Sequence, residues 1–547
     1  MKNLGRFYFL GVPVLFILAC FSLEFYKCGF PLNDDWAYLL ALKNLLETGK
    51  LSLCDWASST QLTHIFSGLL FARAFGFDLG LVKLVNIIHF ALFLVFFQKT
   101  LEEFSLDKKF ILLAALTAAF SPLNLLLSMS FMTDITYLFW STLALYLFVK
   151  NFKTGKGVFL WLALAASGAA FLTRQLGLLL PAAFILFLFL EKKLDLKTFL
   201  KVTLPSAAVF LGYTAWFKGF HGPTWASENY VAGATLKHLL DYKGFFLSTL
   251  ERTLSSLIET GFFIFPVCLP ALFFFRKKIV LSGGSKIRTR IALLFLCAVG
   301  LAFYAWFRGF LPYLENNLGR FGIGVVAVTG WELKESGFFG EKWFWFSATA
   351  AGVLSGAVML YSAVFGLAFR REALFRFFFL NFLLHLGISM AGGKYFDRYL
   401  VNFIPFFILS AALLLKDFKI SAFSPLFLLI PFFAVSYLGS GDYLAWNRAK
   451  WELAAKVSAE RKVDPSGIVN GFDYNAWFNY EKNMKLLKAV KSLKEIDEWE
   501  WQKMMSYRIF ITYNPAPAEG WVVVDKLEYE TPLSRKKGVI YALGLGK

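Results

Sequence analysis

Near its start the chain carries the stretch FYFLGVPVLFILACFSL, residues 7–23, which contains no charged side chain. A continuous apolar run of this length is typical of a helix that crosses a bilayer, whereas the strands of a membrane barrel alternate polar and apolar residues. No small-residue cleavage site follows the run, so we interpret it as a retained first helix rather than a signal peptide. Similar runs recur along most of the sequence, which predicts an all-α polytopic membrane protein.

The composition agrees with this class. Of the 547 residues, 58% are hydrophobic and 17% are charged, which suits many lipid-facing helices better than a soluble core. We expect about thirteen spans, and no internal repeat is evident. Their approximate bounds are 7–23, 80–98, 110–127, 134–150, 157–173, 175–190, 201–217, 259–275, 291–307, 344–368, 374–391, 399–415 and 421–438.

The formal net charge of +19 falls in short basic clusters between these spans. This is the distribution that the positive-inside rule produces, and it argues against nucleic-acid binding. If residues 61–77 lie along the outer interface instead of crossing, every cluster faces the cytoplasm when the N-terminus is inside. The prediction is therefore an N-terminus inside and a C-terminus outside, with outer segments at 24–79, 218–258 and 308–343.

The last part of the chain differs in composition from the spans. Residues 443–461 suit a helix, and four later runs rich in Val, Ile, Tyr and Phe are separated by turn residues, which predicts strands. These runs are Gly467–Gly471, Ser506–Tyr513, Trp521–Tyr529 and Gly538–Leu543. We expect a transmembrane bundle at 1–438 and a small extracytoplasmic α/β domain at 439–547.

Three carboxylates are candidates for catalysis. Asp34 and Asp35 lie in the first outer loop, and Asp134 precedes the fourth span on the same predicted side. A charge near lipid is costly unless it is solvated, paired or used, and carboxylates supply proton removal or metal binding in sugar chemistry. Capping of the following helix is the alternative for Asp34 and for Asp134. A divalent metal ion held by Asp35 or Asp134 is left open.

Two arginines lie on the face where the topology rule disfavours positive charge. Arg174 separates the fifth and sixth spans, and Arg398, followed by Tyr399, lies at the outer end of a late span. The planar guanidinium suits a phosphate. The alternatives are snorkelling of Arg174 to lipid headgroups and an ion pair of Arg398 with Asp397. Lys83 and Lys394 are secondary candidates of the same kind.

The first outer loop holds other candidate residues. Gln61 and His64 are possible site-lining side chains, although a lone histidine is more often a packing or surface residue. Cys28 and Cys54 bracket the acidic pair, and a disulfide between them would brace the loop in an oxidising compartment. Two free thiols are the alternative, because spacing alone does not give their geometry.

Several strings, taken in their order along the chain, resemble the GT-C glycosyltransferases. The most similar members are the bacterial proteins that resemble dolichyl-phosphate-mannose protein mannosyltransferases and the lipid A aminoarabinose transferase. Each string alone is weak, and the specificity comes from their order and sidedness. The strings are NDDWAY at 33–38, FMTD at 131–134, LTR at 172–174, DRYL at 397–400 leading to Pro405, and GFDYNAW at 471–477.

This resemblance implies a polyprenyl-phosphate sugar as donor and Asp34 as the catalytic base. Asp35 stands where the family more often has Glu, and Lys83 where many members have Arg. The Pro-Pro-Leu stretch of the family is absent, and Gln61 to His64 occupy its place. The resemblance further implies a bacterial cytoplasmic membrane and a glycan, lipid or protein acceptor.

The phosphate of such a donor is a good leaving group once its charge is stabilised, so Arg174 and Arg398, with Tyr399, are expected to bind it in place of a general acid. One base then suffices, and inversion at the anomeric carbon follows. The rival interpretations are a transporter or flippase, which tends to place charges in mid-bilayer and to show inverted repeats, a ligase or polymerase of envelope glycans, and a non-catalytic scaffold.

Overall fold

The computed structural model describes residues 8–233, 241–278, 286–303, 309–320, 322–324, 327–328, 331–332, 337–365, 372–392, 395–414, 426–515, 520–533 and 537–545. Within these residues the protein is mostly helical, with a small sheet near the C-terminus. The basic cluster at 370–371 and the candidate Lys394 lie outside the described residues.

The helices follow one another along the chain with few strands between them. Two short two-stranded ribbons, Leu318–Gly319 (β1) with Gly322–Ile323 (β2) and Ala327–Val328 (β3) with Trp331–Glu332 (β4), interrupt the helical part. The helices are α1 (Gly11–Ser22), α2 (Asp35–Thr48), α3 (Leu62–Phe75), α4 (Leu84–Glu102), α5 (Lys108–Ala119), α6 (Pro122–Ser128), α7 (Thr133–Thr154), α8 (Gly157–Phe171), α9 (Leu179–Leu190), α10 (Leu196–Trp216), α11 (Tyr242–Lys278), α12 (Lys286–Phe303), α13 (Lys342–Phe365), α14 (Ala373–Ala391), α15 (Ile404–Leu414), α16 (Leu426–Arg461), α17 (Gly471–Lys488) and α18 (Glu500–Lys503).

Four helices of the described chain, in α4, α13, α14 and α16, are long and apolar enough to cross a membrane, and the α5–α6 pair would be a fifth span if it is counted as one. Shorter apolar helices occur at the predicted positions of several other spans, such as α1 and α8. The prediction of a polytopic, mainly α-helical membrane protein is therefore confirmed, whereas the number of thirteen spans stays a prediction.

The span predicted over 110–127 is not one straight helix. It consists of α5 and α6, which meet at a bend of 61°. Pro122 opens α6 and cannot donate a backbone hydrogen bond to α5. Asn124 compensates, because its side-chain amide donates to the carbonyl of Ala118 at 2.7 Å. The break therefore leaves that buried carbonyl satisfied.

The helix predicted at 443–461 is the continuation of the last predicted span. Together they form α16, a single helix of 36 residues. Gly441 lies near its middle and packs beside Leu23 and Pro532, where an added Cβ would make ordinary van der Waals contacts at 3.4 and 3.6 Å. The predicted boundary between bundle and C-terminal domain thus falls inside a continuous helix, and the division into two domains stays a prediction.

The C-terminal segment contains a four-stranded sheet in the order β5-β6-β8-β7. Its strands, β5 (Ile468–Val469), β6 (Ile509–Thr512), β7 (Trp521–Glu530) and β8 (Lys537–Leu545), lie where the four strands were predicted. Strand β5 pairs parallel to β6, and the other pairings are antiparallel. The first strand is shorter than expected because α17 begins at Gly471, so the GFDYNAW string at 471–477 is helical.

Candidate active site

Asp34 lies immediately before α2, and its side chain points into a cluster of functional groups. Its Oδ2 is 2.7 Å from Nη1 of Arg398, and its Oδ1 accepts a hydrogen bond of 3.2 Å from the indole nitrogen of Trp56. Within the described residues, Asp34 makes no side-chain hydrogen bond to the first turn of α2. The carboxylate is therefore held by two side chains instead of capping the helix.

Arg398 lies in the short 3₁₀-helix Asp397–Asn402, which leads into α15. From there its side chain reaches Asp34. The neighbouring Asp397 has other partners: its carboxylate accepts the backbone amides of Asn317, at 2.9 Å, and Leu318, at 2.6 Å. Burial raises the pKa of Asp397 to about 6, although these amides favour its charged form. Asp397 thus anchors the turn, and the partner of Arg398 is Asp34, not Asp397 as the alternative supposed.

A second ion pair lies beside the first. Arg174, between α8 and α9, pairs with Asp134 in the first turn of α7. The ring of Tyr399 lies between the two pairs, with its centroid 5.2 Å from the guanidinium of Arg174 and 5.6 Å from that of Arg398. We call Asp34, Asp134, Arg174, Arg398 and Tyr399 the two-arginine cluster.

The two-arginine cluster has room for an additional partner in its hydrogen bonding. Asp134 Oδ2, an acceptor, and Arg398 Nε, a donor that could bind an anion, are buried and have no hydrogen-bond partner among the described residues. The side chains of both arginines are at most 13% exposed, and each carries one opposing carboxylate. An anion that enters the cluster would meet two guanidinium groups in a poorly solvated place, where charge–charge interactions are strong.

Asp35 has a different environment from Asp34. It is fully buried, and its Oδ1 accepts the amide of Leu32 at 2.6 Å while its Oδ2 accepts the amide of Phe131 at 2.9 Å. Burial raises the pKa of Asp35 to about 7, against the nearby Lys83 ammonium and the two amides. Both oxygens are thus used in joining the first outer loop to the segment before α7, which does not fit the expected catalytic or metal-binding role.

The side chain of Lys83 also binds the backbone of the loop before α2. Its Nζ is buried and donates to the carbonyls of Cys28 at 2.9 Å and Phe30 at 2.7 Å. His64 is fully buried, with Nδ1 2.7 Å from the hydroxyl of Thr136 and Nε2 3.1 Å from the carbonyl of Phe131. The polar groups of both residues are therefore satisfied within the fold. For His64 this agrees with the alternative of a packing residue.

Gln61 remains close to the cluster. Its backbone amide donates to the carbonyl of Thr173, next to Arg174, at 3.0 Å. Its φ of 48° is left-handed, a conformation that costs energy in a residue other than glycine. Its side chain is buried, and neither polar atom has a hydrogen-bond partner among the described residues.

The predicted disulfide is not formed. Cys28 and Cys54 are both buried and free in the described chain. Cys28 Sγ is 4.0 Å from Nη1 of Arg448 in α16. Burial raises the pKa of Cys54, and the ammonium of Lys488 in α17 opposes this effect. The two thiols thus have different neighbours, and the alternative of free thiols holds.

The carboxylates do not fit a metal site. No group of three or more His, Cys, Asp or Glu side chains that could hold an ion occurs in the part of the chain that the structure describes. Both oxygens of Asp35 accept backbone amides, and Asp134 is paired with Arg174. Because Mg²⁺ and Ca²⁺ need several oxygen ligands, no step is assigned to a metal here.

Sequence reasoning missed Trp56, whose indole contacts Asp34 directly. In this part of the loop, only Gln61 and His64 were predicted to line the site. The available signal was the density of tryptophan in the outer segments and the tail, at Trp36, Trp56, Trp225 and Trp499.

One segment of the chain matches a known protein family. A family model described as dolichyl-phosphate-mannose-protein mannosyltransferase matches residues 66–216, a segment that includes Asp134 and Arg174. The match is confined to this segment, and there it agrees with the predicted resemblance to the GT-C glycosyltransferases.

The solved structures that are similar to this chain share little sequence with it. Two crystal structures of ArnT from Cupriavidus metallidurans, one bound to undecaprenyl phosphate and one in the apo state, are similar to this chain at 13% sequence identity. Each alignment covers 96% of this chain and 97% of the ArnT chain, with TM-scores of 0.40 and 0.38. No curated protein sequence matches.

Proposed function

We propose that this protein transfers a sugar from a polyprenyl-phosphate donor to an acceptor hydroxyl at the outer face of the membrane, with inversion at the anomeric carbon. The observation that carries the proposal is the two-arginine cluster, in which a carboxylate suited to act as base lies 2.7 Å from an arginine suited to bind phosphate. ArnT, which this chain resembles, was crystallised with undecaprenyl phosphate.

Arg398 and Arg174 are assigned to the donor phosphate. Both guanidinium groups lie within 5.6 Å of the centre of the Tyr399 ring, and we place the donor phosphate between them. Charge-assisted hydrogen bonds from arginine are among the strongest in proteins. They stabilise the charge that develops on the departing phosphate, which removes the need for a general acid. This differs from glycoside hydrolysis, in which a second carboxyl protonates a poor leaving group.

Asp34 is assigned as the base. In the structure its Oδ2 is paired with Arg398. A phosphate that draws the guanidinium towards itself weakens this pair and leaves Oδ2 open to the acceptor hydroxyl. The acceptor oxygen then attacks the anomeric carbon, the bond from that carbon to the phosphate oxygen breaks, and the acceptor proton passes to Asp34.

The proposed setting is a bacterial cytoplasmic membrane. The N-terminus would lie inside, about thirteen helices would cross, and residues 439–547 would form a domain on the outer side. The polyprenyl tail would lie between helices, and the acceptor is a glycan, a lipid or a protein. Asp134, which forms an ion pair with Arg174, is proposed to hold the Arg174 guanidinium in its orientation.

A transfer assay tests the proposal. The purified protein is incubated with a panel of polyprenyl-phosphate sugars and candidate acceptors, and products are identified by mass spectrometry and by the anomeric configuration of the new bond. We expect transfer from at least one donor, with inversion. Retention of configuration would contradict a single-base displacement, and movement of intact donor across a vesicle bilayer without transfer would favour the flippase interpretation.

A further inference from the structure

Trp56 lies at the centre of an aromatic cluster beside Asp34. Its ring is within contact distance of six other aromatic rings, of which Trp36, Trp225 and Tyr480 are buried and Trp499 is exposed. The distances between ring centroids are 6.1 Å to Trp36, 5.9 Å to Trp225, 6.4 Å to Tyr230, 5.2 Å to Phe472, 6.0 Å to Tyr480 and 5.7 Å to Trp499.

These rings come from three separate parts of the chain. Trp36 belongs to the first outer loop and α2, Trp225 and Tyr230 to the segment between α10 and α11, and the other three to the C-terminal segment. Trp225 is parallel to Trp56, with 7° between the ring planes, and its indole nitrogen donates to the carbonyl of Ile496 at 2.9 Å. Neighbours on several sides leave the Trp56 indole little freedom to rotate.

The indole of Trp56 has one hydrogen-bond donor, and this donor is directed at the carboxylate of Asp34. We propose that Trp56 is a positioning residue for catalysis: it holds Oδ1 of Asp34 so that Oδ2 faces the acceptor when the donor phosphate draws Arg398 away. This inference rests on the proposed function, in which Asp34 is the base. It adds that the orientation of the base is set by the C-terminal segment through Trp56.

The hydrogen bond, and not the packing alone, is the basis for this role. Trp36 offers a comparison within the same cluster, since its ring is fully buried against Trp56. Its indole nitrogen has no hydrogen-bond partner among the described residues. Replacing either tryptophan by phenylalanine keeps an aromatic ring in place and removes an N–H group, but only at Trp56 does this N–H contact Asp34.

The test compares Trp56→Phe with Trp36→Phe as its matched control. A hydrogen bond to a charged group is worth about tenfold or more in an equilibrium or a rate, so we expect kcat of Trp56→Phe to fall by about tenfold or more. The Kd for polyprenyl phosphate should remain that of the unmodified protein, because Trp56 contacts the base and not the arginines. Trp36→Phe should keep kcat within about twofold.

Two results would overturn the inference: an unchanged kcat in Trp56→Phe, or an equal fall of kcat in both variants, which would show a packing role only. If Trp56→Phe cannot be purified, Trp56→Leu is compared with Trp36→Leu instead, because both variants lose a buried ring but only the first loses the hydrogen bond to Asp34. A kcat that falls at unchanged donor Kd more in Trp56→Leu than in Trp36→Leu supports the inference, and an equal or absent fall contradicts it.

Asp34→Asn, measured in the same series, separates this inference from the proposed function. If Asp34→Asn is inactive while Trp56→Phe is fully active, only the positioning role is wrong. If Asp34→Asn keeps full activity, the assignment of the base is wrong, and the positioning role is wrong with it.

Discussion

At the scale of single residues, two adjacent carboxylates, Asp34 and Asp35, have different kinds of hydrogen-bond partner. Asp34 faces Trp56 and Arg398, both side chains, whereas Asp35 accepts two backbone amides. A side chain can move or exchange its partner, and a backbone amide in a packed loop cannot do so without unfolding. Asp34 is thus suited to chemistry and Asp35 to stability.

Replacing Arg398 should weaken donor binding. In Arg398→Ala we expect the Kd for polyprenyl phosphate to rise by about 10- to 100-fold, because a charge-assisted hydrogen bond is worth about 1.5–3 kcal/mol. Calorimetry or a fluorescent donor analogue measures this change. Arg376→Ala is the control, since Arg376 forms a comparably shielded pair with Glu191 at 2.6 Å and neither residue belongs to the two-arginine cluster. An unchanged Kd in Arg398→Ala would exclude the phosphate role.

Asp35 should make stability depend on pH. Burial raises its pKa from an ordinary 3.8 to about 7 in the folded protein, so the folded state holds this proton where the unfolded state has lost it. The contribution is fully present below pH 4 and is lost as pH rises to about 7. Thermal unfolding midpoints between pH 4 and 8 should therefore fall with pH more steeply for the unmodified protein than for Asp35→Asn.

Asp35→Asn should also lower the midpoint throughout, because its NH₂ group would face one of the two amides of Leu32 and Phe131, and an unsatisfied buried donor costs about 1–3 kcal/mol. Parallel pH curves for the two proteins would contradict this account of Asp35.

The residue types of the site were predictable from the sequence, but their pairing was not. Four charged residues at the predicted outer ends of apolar runs were selected because a charge near lipid is costly unless it is solvated, paired or used. They are Asp34, Asp134, Arg174 and Arg398. That Arg398 meets Asp34, 364 positions away along the chain, depends on how the helices pack, and a sequence pattern favours the adjacent Asp397. Lys83 and His64 were selected by the same reasoning, yet carbonyls and hydroxyls of neighbouring segments satisfy them.

At the scale of elements, apolar runs predicted helices well and their interruptions poorly. The break between α5 and α6 at Pro122 was missed because the run of apolar residues continues through it. In α16 the opposite occurred: a span at 421–438 and a separate helix at 443–461 were predicted, but one helix runs without a break from Leu426 to Arg461. Tertiary packing here outweighs local propensity.

The continuity of α16 should be needed for transfer. Proline at position 445 removes one backbone hydrogen bond and clashes with the preceding turn, at a cost of about 3 kcal/mol or more. We expect Ala445→Pro to shift the C-terminal segment relative to the first outer loop and to lower the transfer rate by about tenfold or more. Limited proteolysis reports whether the C-terminal sheet stays folded, and Ala445→Ser is the control. Wild-type transfer by Ala445→Pro would show that the helix need not be continuous.

At the scale of the whole molecule, distant parts of the chain converge on one site. Asp34, the proposed base, comes from the loop before α2, the arginines from the turns after α8 and before α15, and three of the rings around Trp56 from the C-terminal segment. Sidedness from the charge pattern predicted that these segments share a face. The contacts between them need three-dimensional packing, which explains why Trp56 was missed and the Cys28–Cys54 disulfide was wrong.

The central claim is that Asp34 takes the proton of the acceptor while the two arginines hold the donor phosphate. The most direct test is the transfer rate of Asp34→Asn in a preparation shown to bind polyprenyl phosphate, with Asp78→Asn as a second loop carboxylate for control. The account predicts normal donor binding and a rate lowered by at least about 100-fold in Asp34→Asn only. Transfer by Asp34→Asn at the rate of the unmodified protein would contradict it.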